Sequence, residues 1–132
     1  MNKRLIANWY RYFTAFLQMM SRNSHLISVK FKFSPYFFAN IDTPPHDVMY
    51  RAIVDFLGSQ HYLKRTEFHH CYFRFPEGVE LLRKLIENTS ESLTRLVLRE
   101  FVRSELLDRE QDSNILQNLH MLLPSLTEAA VA

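Results

Sequence analysis

Glycine is almost absent from this chain, with two residues in 132, Gly58 and Gly78. Tight hairpins depend on backbone positions with φ > 0, which glycine fills without strain, so an antiparallel all-β fold is disfavoured on turn chemistry alone. Cysteine is scarcer still: Cys71 stands alone. It has no partner for an internal disulfide, which fits a reducing compartment, cytoplasm or nucleus. Long apolar runs are missing too, since no stretch of about 18 uncharged apolar residues is present to cross a bilayer. The opening MNKRLIANWYRYFTAFLQMM sets basic residues before apolar ones, but Arg11 interrupts it and no small-residue cleavage pattern follows. A soluble intracellular protein without membrane attachment is expected. A large net charge is also absent. With 16 basic and 14 acidic residues the sum is +2, so bulk electrostatics do not point to nucleic acid.

What the chain has is apolar and aromatic. A hydrophobic share of 47% and an aromatic share of 14% argue for a packed fold rather than disorder, and the length suits one core rather than two. A single domain over 1–132 is the expectation.

Two periods alternate along it. Leu5, Ile6, Trp9, Phe13, Phe16, Leu17 and Met20 are spaced to share one side of a helix that ends near 22–24. HLISVKFKF then alternates as a half-buried strand does, and SPYFFANIDTPP reads as a loop. The order repeats. Thr43 before Pro44 and Pro45 marks a helix start, Met49, Ile53, Phe56 and Leu57 line one face, and Gly58 is placed to end that helix. The short alternating run YLKRTEFHHCYF follows. Pro76 opens a third helix striped by Val79, Leu82, Leu85 and Ile86, which closes at 88–90 before the strand SLTRLVLREF. A fourth helix with Ile115, Leu116, Leu119 and Leu122, capped by Ser113, precedes SLTEAAVA.

The strand starts align. Leu26, Val29 and Phe31; Leu63, Thr66 and Phe68; Leu93, Leu96 and Leu98; and Leu126, Ala129 and Val131 all read L-x-x-φ-x-φ, with starts about 37, 30 and 33 residues apart. A self-similar period of that size is the signature of a stacked repeat, here over approximately 2–40, 41–75, 76–108 and 109–132.

These residues resemble the leucine-rich repeat, L-x-x-L-x-L-x-x-N/C-x-L, in its long irregular, helix-containing form found in F-box proteins. ENTSESLTRLVL and LLPSLTEAAV are similar to the helix-end-to-strand join of such repeats. The resemblance implies an α/β fold: a right-handed solenoid of about four irregular repeats, parallel strands on the concave side and helices on the convex side. It also implies a protein-interaction role, with the repeats selecting a substrate for a cullin-based ubiquitin ligase through an adaptor bound by an F-box lying upstream. Three departures stand out: no F-box helix set precedes Leu5, the repeats exceed the usual 20 to 29 residues, and no cap follows Ala132. A partial repeat domain is therefore expected, or one that completes its core against a partner.

The stretch EFHHCYFRF, residues 67–75, suggests other chemistry. His69, His70 and Cys71 are all zinc-ligand types, but adjacent strand residues alternate sides and cannot all face one ion. His25, His46, His61 and His120 offer no paired spacing to complete a site. A nucleophilic thiol needs a base and a setting that stabilises thiolate. The repeat register supplies a third reading: Cys71 falls ninth from Leu63, where the repeat family takes Asn or Cys as a small inward side chain. Ser34 and Phe101 hold the equivalent positions, and only serine suits them. No Gly-rich phosphate loop, G-x-S-x-G elbow or H-E-x-x-H helix is present, so neither enzyme activity, cofactor nor metal is expected.

Function is then expected on the concave face. Alternation turns Val29 and Phe31 inward and exposes Ser28, Lys30, Lys32, Arg65, Glu67, His69, Arg95, Val97 and Arg99, with Glu128 and Ala130. Five cations against two carboxylates make a basic stripe suited to an acidic or phosphorylated protein segment. RNA is not favoured, because no aromatic on this stripe would stack bases. Two other readings compete: a structural fragment of a longer repeat protein without activity of its own, and an enzyme built on Cys71.

Overall fold

A computed structural model describes residues 3–38, 40–42, 44–102 and 127–131. Helices and strands alternate: α1 (Lys3–Met20), β1 (Ser28–Lys32), α2 (Pro45–Gly58), β2 (Arg65–His69), α3 (Phe75–Thr89), β3 (Arg95–Arg99) and β4 (Glu128–Val131). The expected fourth helix and its Ser113 cap lie outside the described residues.

The strands form one parallel sheet in chain order, β1-β2-β3-β4. The mixed α/β class expected from alternating helical and strand periods is what the chain adopts. Pairing runs without a slip: Ser28 opposes Arg65, which opposes Arg95, which opposes Glu128, and Phe31, Phe68 and Leu98 form a second row. Hydrogen bonds continue this order beyond the strands. At their entrances the Lys64 N–H donates to the Ile27 carbonyl at 2.7 Å, Thr94 N–H to Lys64 at 2.8 Å and Thr127 N–H to Thr94 at 2.8 Å. The two S-L-T triplets add a hydroxyl ladder, with Thr94 Oγ1 donating to the Lys64 carbonyl at 3.0 Å and Thr127 Oγ1 to the Thr94 carbonyl at 3.1 Å. Each strand entrance thereby satisfies backbone groups of the strand entrance before it.

Helices cover one face of the sheet. Leu17 of α1, Met49, Ile53, Phe56 and Leu57 of α2, and Leu81 and Leu85 of α3 join Phe31, Phe68, Leu96 and Leu98 of the strands in one buried cluster, while α1 packs on α2 and α2 on α3. The L-x-x-φ-x-φ positions form the sheet side of that core: Leu63, Thr66, Phe68, Leu93, Leu96 and Leu98 are each 2% exposed or less. Aromatic rings fill much of the layer. Phe31 stacks on Phe68 with ring centroids 5.3 Å apart, and Phe101 meets Phe68 edge-on at 5.1 Å.

Helix boundaries follow proline chemistry. Pro45 occupies the first turn of α2, where its missing N–H costs nothing, and Pro76 does the same in α3. Gly58 departs from expectation. It is the last residue of α2 but does not turn into the left-handed region; no glycine here has positive φ. The helix instead ends through Ser59, whose N–H donates to the carbonyl of Phe56 at 3.0 Å. The left-handed turns are taken by non-glycine residues: His70 and Glu100, each the first residue after a strand, have φ of 59° and 49°.

Gly78 matters for space rather than conformation. A Cβ there would lie 2.5 Å from Val102 Cγ1 and 3.1 Å from Phe101 Cε2. Alanine improves helix propensity by about 1 kcal/mol, but overpacking against a stiff β-branched neighbour costs about 1–3 kcal/mol. Gly78→Ala is expected to lower stability in urea unfolding, and the same change in a Val102→Ala background to raise it.

Candidate functional site: the outward face of the sheet

Opposite the helices, the strand register gathers the charged residues into rows. Ser28, Arg65 and Arg95 form one row, Lys30, Glu67, Val97 and Ala130 the next, and Lys32, His69 and Arg99 the third. Strands about 4.8 Å apart hold such side chains close enough to act together. Ser28, Lys30, Lys32, Arg65, Arg95 and Arg99 are exposed, so the five cations of the expected stripe all face solvent.

Two members of the expected exposed set are buried, and a third, Glu67, is only partly exposed; the Glu128 side chain lies outside the described residues. Val97 is 4% and His69 7% exposed. Alternation decides which face a residue occupies, not how much water reaches it. Val97 is central, with strands on both sides and Arg95 and Arg99 two residues away on the same face. His69 is drawn down by its partner: its Nε2 lies 2.9 Å from Glu67 Oε1. That hydrogen bond is the main reason the Glu67 carboxyl is held below its usual range; partial burial opposes it, and Lys30 and Arg95 add to the lowering. Glu67 is thus an anion already served by its neighbours, and the positive surplus of the face lies with the lysines and arginines around it.

Cys71 is fully buried. Its thiol contacts the His69 carbonyl at 3.9 Å, and burial pushes its pKa far up, which removes the thiolate that nucleophilic chemistry needs. His69 faces outward while Cys71 packs in the core; strand alternation alone would put residues two apart on one face, and the left-handed turn at His70, φ 59°, separates these two donors. Ser34, the residue equivalent to Cys71 in the first repeat register, is exposed instead of inward, because the chain after Phe33 leaves the sheet through a turn with Tyr36 in the left-handed region.

A second cluster includes Glu77 and Glu80, a pair that reads as solvated surface in the sequence but is partly buried and partnered here. His46, Asp47 and Glu77 hold potential ligand atoms within 4.8 Å of one another. His46, 2% exposed, lies with Nδ1 3.4 Å from the Phe38 carbonyl and Nε2 3.3 Å from Glu77 Oε2. Arg74 supplies a cation to the same cluster, 3.8 Å from Asp47 and 4.0 Å from Glu77. Beside it the Tyr50 hydroxyl donates to Glu80 and to the Glu77 carbonyl, and burial followed by the Glu80 bond raises that phenol well above its usual range. The arrangement ties the first turns of α2 and α3 together. A signal did exist: His46 and Glu77 each follow directly on the proline that opens a helix, 31 positions apart.

No family model, curated protein or solved structure matches the chain.

Proposed function

We propose that the chain is a protein-interaction module of leucine-rich-repeat type, a solenoid of helix–strand units, whose outward sheet face holds an acidic or phosphorylated segment of another protein. The observation that carries this reading is the register: Arg65 beside Arg95, and Lys32 in the row of Arg99, set exposed cations on three adjacent strands. Paired guanidinium groups at strand spacing suit carboxylate and phosphate oxygens, which they bind with short charge-assisted hydrogen bonds. Support for the repeat comes from the recurring entrance hydrogen bonds at Ile27, Lys64 and Thr94, which recur at the L-x-x-φ-x-φ period. Within that reading, substrate selection for an F-box type ubiquitin ligase is the proposed cellular role, taken from the resemblance of the repeats and not from a site.

The test is a charge reversal, Arg65→Glu with Arg99→Glu, titrated by fluorescence anisotropy with a labelled peptide of phosphoserine, aspartate and glutamate. Both arginines are exposed, so the fold is expected to persist, as circular dichroism will check. Affinity is expected to fall by about tenfold or more, and wild-type binding to weaken steeply with added salt. Unchanged affinity would make the basic face a solubilising surface and end the proposal.

A further inference from the structure

β1 is the edge of the described sheet, paired only with β2. Along its free side runs a groove of about 420 Å³, walled by Trp9, Phe13 and Phe16 of α1 and by β1 itself. Inward residues Val29 and Phe31 and outward residues Ser28, Lys30 and Lys32 all line it, with Leu17 and Phe56 of the core at its helix side, so it lies between the edge of β1 and α1. Its volume falls in the range of about 300–1,000 Å³ found for binding clefts.

We propose that this groove takes an extended acidic segment of a partner protein, added as a further strand beside β1. Three features of the molecule specify that occupant. The first is the backbone. The Ile27 carbonyl accepts from Lys64 and Arg65, and the Phe33 N–H donates to His69; both residues point toward β2. By strand alternation Ser28, Lys30 and Lys32 direct their N–H and C=O groups to the free side, where only another extended chain pairs them all. The second is the apolar wall. Trp9 and Phe13 are stacked at 4.9 Å and Phe16 is 53% exposed, a preformed surface for every second side chain of an added strand. The third is charge. Lys30 and Lys32 are exposed and form no ion pair among the described residues, and they flank the positions where the remaining side chains of the added strand would stand. Edge lysines repel neutral aggregation and cationic strands, and in an edge-to-edge dimer β1 would oppose its own lysines. An acidic strand from another protein is the occupant that meets all three conditions.

The inference rests on the proposed binding role only through Lys30 and Lys32, and the test separates the two. A short labelled peptide alternating valine with glutamate is titrated against the whole chain, with a valine–lysine peptide and an N-methylated valine–glutamate peptide as controls. Binding of the first alone is expected, falling by about tenfold or more in Phe16→Asp and in Lys30→Glu with Lys32→Glu; the loss in Phe16→Asp is the readout that the outward face does not share. Phe16 is exposed, and circular dichroism of Phe16→Asp checks that the fold persists. Loss in the arginine double variant with Phe16→Asp unaffected would overturn the groove and leave the outward face standing. Equal binding of the N-methylated peptide would overturn strand addition. Concentration-dependent self-association that Phe16→Asp abolishes, with no peptide bound, would assign the groove to a second copy and also overturn the proposal.

Discussion

Phe68→Ala is expected to cost about 3–5 kcal/mol, the range for deleting a buried aromatic ring. Phe68 is fully buried at the middle of β2. Its ring is stacked on Phe31 and meets Phe73 and Phe101 edge-on, so truncation opens a cavity lined by three rings anchored on different parts of the chain. Relaxation is limited because Phe31 and Leu98, its neighbours in register, are fixed by strand pairing. Against a typical domain stability of about 5–15 kcal/mol, the loss is large enough to move the urea midpoint far down with little change in slope. Thr66, two residues earlier on the same face, supplies the contrast. It is fully buried and its Oγ1 has no hydrogen-bond partner among the described residues. Thr66→Val exchanges that hydroxyl for a methyl of nearly the same shape and is expected to stabilise by about 1 kcal/mol. A loss in Thr66→Val as large as that in Phe68→Ala would mean that β2 resists any change, and the cavity argument would fail.

Glu77→Ala is the second large effect, about 1–3 kcal/mol at neutral pH, because it strips the partner from His46, which stays buried, and removes the cap of α3. His46 would lose the carboxylate at Nε2, and the Arg74 N–H would lose the acceptor 3.0 Å away that caps the first turn of α3. Burial alone would raise the Glu77 carboxyl; the hydrogen bonds from His46 and the Arg74 backbone, with the nearby positive charge, outweigh it and hold the group below the usual 4.5. A carboxyl lowered on folding contributes stability that is present above its unfolded value and lost as pH falls through the folded one. The gap between wild type and Glu77→Ala is therefore expected to be full at about pH 7 and to narrow below about pH 4. Urea midpoints at both pH values check it, and a gap that stays constant would show that the carboxylate charge plays no part.

How much of this was legible beforehand varies by element. The helix over 45–58 is marked by Pro44, Pro45 and a four-residue apolar stripe, and the strand over 95–99 by the apolar run Leu96, Val97 and Leu98 between Arg95 and Arg99; both are local signals. The left-handed residues His70 and Glu100 carried no signal, because the backbone there is imposed by the turn out of a strand already paired on both sides. For Val97 and His69, alternation gives the face but not the exposure: they are 4% and 7% exposed. Face follows from the two-residue period of one strand, whereas exposure depends on what the neighbouring strands and the Glu67 carboxylate bring beside it.

The same division holds for the chain as a whole. Sequence alone determined the alternation of helix and strand, the recurring L-x-x-φ-x-φ positions and the row of basic residues between them, since each is a matter of spacing along one element. Tertiary structure alone decided that Arg65 stands beside Arg95, that His46 reaches Glu77 across 31 positions of chain, and that β1 is the edge of the described sheet beside the aromatic wall of α1. Those are juxtapositions between elements, settled by parallel pairing in register and by packing of helix on helix, and no local pattern encodes them.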